Sequence, residues 1–298
     1  MKKSQKPKVL IILGPTASGK TALAISLAKH IGGEIISADS RQVYRGLDIA
    51  TGKVTKKEMS GVPHHLLDVA SPSRVFTAQQ FMTKGRKAIA DIIKRGKVPI
   101  IAGGTGFYID ALVGGVSLPQ VPPNMTLRKT LEKMSASELY ALLTKKDPRR
   151  AKDIDAHNPV RLVRALEIAE AIGKSPKAKS DAVYDVLWIG ISVPFADLEK
   201  NIEKRLTLRM KQGMIAEAER LREEGLPFQR MEALGLEYRY LAQHLQEKLT
   251  KAELLDSIRK GNIDYAKRQM KYWKRNKDIN WLNAQDQRVE TMVEGWVK

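Results

Sequence analysis

Apolar positions fall in short blocks along the first hundred residues. Val9-Leu10-Ile11-Ile12-Leu13 is an unbroken apolar run closed by Gly14. Five residues are too few for a helix, and glycine stops the run, so a buried parallel strand is predicted. Ala22 to Lys29 follows with good helix formers and an apolar face. Glu34-Ile35-Ile36-Ser37 is a second short strand, delivering Asp39 at its end, and His65-Leu66-Leu67-Asp68-Val69 is a similar run. Val98 to Ala102 is another, running into Gly103-Gly104. Such runs alternating with helices predict βαβ units.

The pattern changes at Leu118-Pro119-Gln120-Val121-Pro122-Pro123. Proline continues neither helix nor ladder, so this break marks a boundary. Thr126 to Leu143 has helical period through Leu127, Leu131, Met134 and Leu139, and Pro159 to Ile172 is a second amphipathic helix. Lys174 to Asp181 is a compact basic linker. A strand returns at Val186–Val193, then a helix from about Phe195 to Gly213. The expected fold class is α/β: a P-loop doubly wound parallel-sheet core (1–117 and 186–298) with a mostly helical insertion domain (118–185). A length of 298 residues suits a core plus an insertion.

Composition narrows the chemistry. The absence of cysteine excludes a disulfide framework, a cysteine zinc site and a thiol nucleophile, and favours a reducing, cytoplasmic setting. No run of 18 uncharged apolar residues exists, so no membrane span is expected, and the apolar run behind the basic N-terminus is too short for a signal peptide. Lys and Arg number 52 against 33 Asp and Glu, a formal charge of +19. That excess points to a polyanionic partner: nucleic acid, membrane surface or phosphorylated ligand.

Gly14-Pro15-Thr16-Ala17-Ser18-Gly19-Lys20-Thr21 fits G-x-x-x-x-G-K-[ST], with a strand before it and a helix after. Glycines let the backbone turn several N–H groups toward phosphate oxygens, and the helix N-terminus adds partial positive charge. Lys20 adds a full charge, and the Thr21 hydroxyl can bind Mg²⁺. The motif specifies a phosphate chain and does not by itself single out ATP. Asp39, at a strand's carboxyl end, is expected to face the same site, with a turn cap as its structural alternative. Asp68 is a second candidate Mg²⁺ ligand, nearly balanced by a plain structural role. His64 and His65 are adjacent on a strand and point to opposite faces, which argues against a metal pair. Thr105, in Gly103-Gly104-Thr105-Gly106, ends a core strand and is expected at the site.

Arg161 and Arg164 share a helix face and either clamp phosphates or are solvated. Arg205 and Arg209 share another, and spacing does not choose between them. Arg259 to Lys277 holds eight basic residues, one acid, and Tyr265, Tyr272 and Trp273. Interleaved aromatics suit stacking on unpaired bases, although Tyr272 and Trp273 equally suit a core.

Together these blocks resemble the tRNA dimethylallyltransferases, bacterial type. The resemblance rests on Gly14–Thr21, Ser37-Ala38-Asp39-Ser40-Arg41-Gln42-Val43-Tyr44, Pro63–Asp68 and Gly103–Tyr108. It continues through Asn158–Glu167, Ala233–Arg239 and Ala266–Gln269, over nearly the whole chain. It implies transfer of the dimethylallyl group of dimethylallyl diphosphate to the exocyclic amine of the adenosine 3′ of the anticodon. The tRNAs concerned read codons beginning with U. It implies Mg²⁺ as cofactor, Asp39 as general base, and Thr21 and Arg205 acting on the diphosphate. It further implies tRNA contacts from Asp39, Ser40, Arg41, Gln42, Thr105, Arg128, Val160, Arg161, Leu162, Val163 and Arg164. A monomer without membrane attachment is expected. The chain departs from the family pattern in two places, a shortened 118–157 segment and the compact basic linker Lys174 to Asp181. Two other classes share the loop: a small-metabolite kinase, which leaves +19 unexplained, and a nucleic-acid-stimulated ATPase.

Overall fold

The computed structural model describes residues 6–114, 118–175 and 183–298. Its strands are β1 (Lys8–Leu13), β2 (Gly33–Ser37), β3 (His64–His65), β4 (Val98–Gly103), β5 (Asp185–Ile191) and β6 (Asn280–Leu282). Helices α1 (Lys20–Ile31), α2 (Lys56–Met59), α3 (Ala78–Lys94) and α4 (Gly106–Val113) precede the proline-rich break. After it come α5 (Met125–Leu131), α6 (Ala136–Lys146), α7 (Pro148–Lys152) and α8 (Pro159–Ile172). The last six are α9 (Phe195–Lys211), α10 (Met214–Glu223), α11 (Phe228–Ala233), α12 (Leu236–Leu245), α13 (Lys251–Trp273) and α14 (Arg288–Val297).

The six strands form one sheet in the order β3-β2-β4-β1-β5-β6, and every pairing is parallel. Strand alternation sends successive side chains to opposite faces. Val9, Ile11, Leu13, Ile36 and Ile101 join one buried cluster with residues of α3, α4 and α10 to α13. Leu10, Ile12, Ile35, Ile100 and Ile189 join a second with α1 and α14. With both faces covered, the strands are apolar throughout, which is why they appear as unbroken runs.

The chain divides into two compact units, residues 1–113 with 182–298, and residues 114–181. The second begins and ends four residues before the expected 118–185, because α4 closes the first half of the core at Val113. Its core joins Leu131, Leu139, Leu143, Leu162, Val163 and Leu166. The single helix expected over 126–143 is two helices, broken between Leu131 and Ala136. Ser135 caps α6 by accepting from the Glu138 N–H while the Glu138 side chain returns to the Ser135 N–H. That reciprocal cap outweighs the continuous apolar period. Of the expected basic linker, residues 176–181 lie outside the described residues.

The strand expected through Val69 is only two residues long. Leu66 and Asp68 take positive φ of 65° and 56°, turning the chain away from the sheet.

Candidate phosphate and acceptor site

The strands' carboxyl ends carry a cavity lined by Thr16, Lys20, Thr21, Asp39, Gln42 and Arg205 among others. Ala24, Ile35, Val54 and Ala102 supply its apolar wall. The loop after β1 thus meets the end of β2, as expected for a parallel sheet.

Two contacts shape the loop from outside. The Thr16 N–H donates to Gln269 Oε1 at 2.8 Å, and Gln269 Nε2 donates to the Gly104 carbonyl at 2.9 Å. One buried side chain of α13 therefore ties the loop after β1 to the loop after β4. A Cβ at Gly104 would lie 2.1 Å from Gln269 Nε2, so any side chain there would displace this amide. Sequence reasoning did not single out Gln269 as a site residue; its signal was the Ala266–Gln269 block. Arg205 donates to Thr16 Oγ1, and Lys20 Nζ to the Pro15 carbonyl at 3.2 Å. Ser18 Oγ, in the same loop, is buried without a hydrogen-bond partner among the described residues.

The cations crowd one another. Burial and the Arg205 guanidinium push Lys20 down to about 8, with Asp39 offsetting part of the effect. Burial and Arg209 push Arg205 down to about 10, against the pull of Glu237 and Asp39. Positive groups held so close favour an anion between them.

Asp39 Oδ1 accepts from the Arg41 N–H at 2.8 Å and the Gln42 N–H at 3.4 Å. The carboxylate is thus a turn cap and a cavity group at once. The Ser40 N–H donates to Thr105 Oγ1 at 3.1 Å, and Gln42 Nε2 donates to the Gly52 carbonyl at 3.1 Å. Burial, then Asp39, pushes the nearby Tyr265 hydroxyl up to about 12. The 48–50 loop hangs on Glu217, which accepts from the N–H groups of Asp48, Ile49 and Ala50 and from the Tyr238 hydroxyl. Glu217 is buried and distant in sequence, and no pattern marks it.

Arg209 is separated from Arg205 in role. It donates to the Ala50 carbonyl at 3.0 Å and lies 3.9 Å from Glu237, away from the cavity lining. Asp68 pairs with Lys53 at 2.5 Å and is not among the lining residues, so it has a structural partner outside the cavity. His64 lines the cavity while His65 turns away to Glu34 at 2.7 Å, as strand alternation requires. Among the described residues no cluster of three His, Cys, Asp or Glu could hold a metal. Trp273 is buried and Tyr272 donates to Asp110 Oδ2 at 2.6 Å, so both serve packing; the exposed face of α13 keeps Lys267, Arg268 and Lys271.

In the helical unit Val160 and Arg161 are exposed, but Leu162 and Val163 point into its core. Those two side chains are therefore taken up in packing, and the exposed side of this stretch is Val160 and Arg161. Arg128 donates twice to the buried Glu167, at 2.7 and 2.8 Å, and Arg164 donates to Glu167 at 3.1 Å and to the Val121 carbonyl at 2.7 Å. Both guanidiniums anchor the helical unit and keep about a third of their surface exposed, at 31% and 34%.

Fold and loop define a P-loop-type α/β protein with clustered cationic side chains facing a carboxylate. A family model described as IPP transferase matches residues 42–276. The tRNA dimethylallyltransferase of Anoxybacillus flavithermus is 39% identical over 95% of this chain and 92% of its own length. A tRNA dimethylallyltransferase 2 of Treponema denticola is 42% identical over 94% and 97%. The crystal structure of a tRNA isopentenylpyrophosphate transferase from Bacillus halodurans superposes with a TM-score of 0.74 at 32% identity, covering 98% of this chain and 96% of that one. A eukaryotic dimethylallyltransferase acting on tRNA superposes with a TM-score of 0.86 at 26% identity, covering 98% and 79%. The chain belongs to the IPP transferase family and is a prenyl-transferring enzyme. No helix among the described residues is long and apolar enough to cross a membrane.

Proposed function

We propose that the chain transfers the dimethylallyl group of dimethylallyl diphosphate to the exocyclic amine of the adenosine 3′ of the anticodon in tRNAs reading U-starting codons. The observation that carries this reading is the joint presence of Lys20, Arg205 and the Asp39 carboxylate around one cavity. An allylic C–O bond breaks when its electron pair can leave on a stabilised diphosphate. The P-loop N–H groups, Lys20 and Arg205 neutralise that growing charge. The adenine nitrogen bonds to the allylic carbon and loses a proton to Asp39. Oδ1 of Asp39 is occupied by backbone donors, while Oδ2 has no hydrogen bond among the described residues. The acceptor base leaves its stack to enter the cavity, and the apolar wall limits water that would hydrolyse the allylic fragment.

The residues present also fit Mg²⁺. The Thr21 hydroxyl lines the cavity beside the phosphate loop and is an oxygen donor of the type this hard cation takes. Thr21 would hold it, and bound there it supplies further charge neutralisation at the leaving oxygens.

The test is a transfer assay with dimethylallyl diphosphate or ATP as donor and tRNA or AMP as acceptor. Prenylated tRNA from the first pair is expected. Phosphorylated product from ATP would replace this reading with a kinase, and prenylated AMP alone would move the acceptor to free nucleotides.

A further inference from the structure

Outside the cavity, α9 and α13 leave an open groove of about 380 Å³ lined by Phe195, Leu198, Ala266, Lys267, Met270, Lys271 and Lys274. That size lies within the roughly 300–1,000 Å³ of small-molecule sites. Its floor is apolar, and its rim carries three lysines. Phe195 is 44% exposed. Lys267 Nζ stands 5.3 Å from its ring centroid, on the same rim. The one acid paired there is Asp264, 3.9 Å from Lys267 and itself exposed.

The groove's floor packs against the phosphate loop. Leu198 and Ala266 belong to a buried cluster against which Ala17 packs, and the same α13 sends Gln269 to Thr16. Lys267, Met270, Lys271 and Lys274 recur at helical spacing, so they form one stripe on the side of α13 away from Gln269.

An apolar floor with one exposed aromatic ring and a cationic rim matches an unpaired nucleotide: the base stacks and its flanking phosphates meet the lysines. A basic segment of this chain would be repelled, and a purely anionic ligand would leave the ring without purpose. We propose that this groove binds an unpaired nucleotide of the RNA acceptor, with its base on Phe195 and its phosphates on Lys267, Lys271 and Lys274. The inference rests on the RNA-acceptor reading above and adds a contact separate from the reacting base.

The experiment uses the full chain and two probes, a short unstructured oligouridylate and inorganic polyphosphate of similar charge. Phe195→Ala is expected to weaken oligouridylate binding by about 5- to 150-fold, the range for one stacked base, and polyphosphate binding by less than about twofold. In Phe195→Trp the introduced indole is quenched by oligouridylate and not by polyphosphate, relative to the parent's own tryptophans. Lys271→Gln lowers the salt slope of oligouridylate binding by about 0.7. Thermal melting of each variant confirms folding. Equal effects on both probes, or on neither, overturn the proposal. Light scattering that finds a dimeric parent and a monomeric Phe195→Ala assigns the groove to a second copy and overturns it as well. Prenyl transfer to tRNA is measured on the same parent sample. Normal transfer alongside a Phe195→Ala variant that binds oligouridylate like the parent rejects the groove alone. Failed transfer alongside selective Phe195 effects rejects the reaction assigned above while supporting nucleotide binding here.

Discussion

Protonation of Lys20 should be visible in donor binding. Burial and Arg205 hold its ammonium near 8 in the free protein. A bound diphosphate brings negative charge against it and returns it toward the ordinary value of about 10.4. Between those values, binding takes up a proton. At about pH 8 half the free sites carry a neutral amine, so uptake is roughly 0.5 proton per site, rising to roughly 0.9 near pH 9. From about pH 7 to about pH 9 the charged fraction of free Lys20 falls from roughly 0.9 to 0.1. Affinity for an unreactive donor analogue should then fall about tenfold, or ~1.4 kcal/mol. The ligand's last ionisation lies near 6, as for a phosphate monoester, and does not interfere above neutrality. Calorimetric titration in two buffers of different ionisation enthalpy measures the uptake directly. Lys20→Ala should show none, and should bind more weakly by about 1.5–3 kcal/mol, the contribution of a charge-assisted hydrogen bond. A parent whose affinity is flat from about pH 7 to 9 with no proton uptake would refute the reasoning.

Four further outcomes are expected. Asp39→Asn keeps an oxygen for the Arg41 and Gln42 N–H groups but loses the proton acceptor; single-turnover transfer should slow by about 10²–10⁴ with donor affinity nearly unchanged, and a normal rate would remove Asp39 from the chemistry. Gln269→Leu frees the Thr16 N–H and the Gly104 carbonyl, and chemical denaturation should register a loss of about 1–3 kcal/mol together with weaker donor binding. For Glu167, burial would raise the carboxyl, but Arg128, the Asn124 N–H and Arg164 hold it at about 2. A depressed carboxyl stabilises above its unfolded value near 4.3 and loses that contribution as pH falls toward 2, up to about 3 kcal/mol; urea unfolding of Glu167→Gln should lack this acid slope. Charge reversal at Lys267, Arg268 and Lys271 should flatten the salt dependence of tRNA affinity, by roughly 0.7–0.9 in log–log slope per lost phosphate contact, and an unchanged slope would place this face away from RNA.

The elements that stand alone in sequence were the legible ones. Helix α8 spans Pro159–Ile172 as its period predicts, because Asn158 caps it, Pro159 starts it and Gly173 ends it. The run that stopped at two residues of strand did so through Leu66 and Asp68 in the left-handed region, a departure that apolar content does not signal. The break between α5 and α6 had a local signal in Ser135 and Glu138, outweighed in a reading by period.

For the site, the division follows the range of each interaction. Gly14 to Thr21 carries its own geometry, since strand, loop and helix are contiguous, and residue type alone commits it to phosphate. Asp39 follows from strand phase, because every parallel strand delivers its end to the same edge. What needed the folded chain were contacts spanning long separations. Gln269 reaches Thr16 across 253 residues, and Glu217 reaches Asp48 across 169. The choice between Arg205 and Arg209, equivalent by helical spacing, was made by what lies opposite: a phosphate loop for one, a buried carbonyl and Glu237 for the other. Local sequence sets which groups a segment offers; only packing against distant segments determines which of them face an anion and which are consumed in holding the walls.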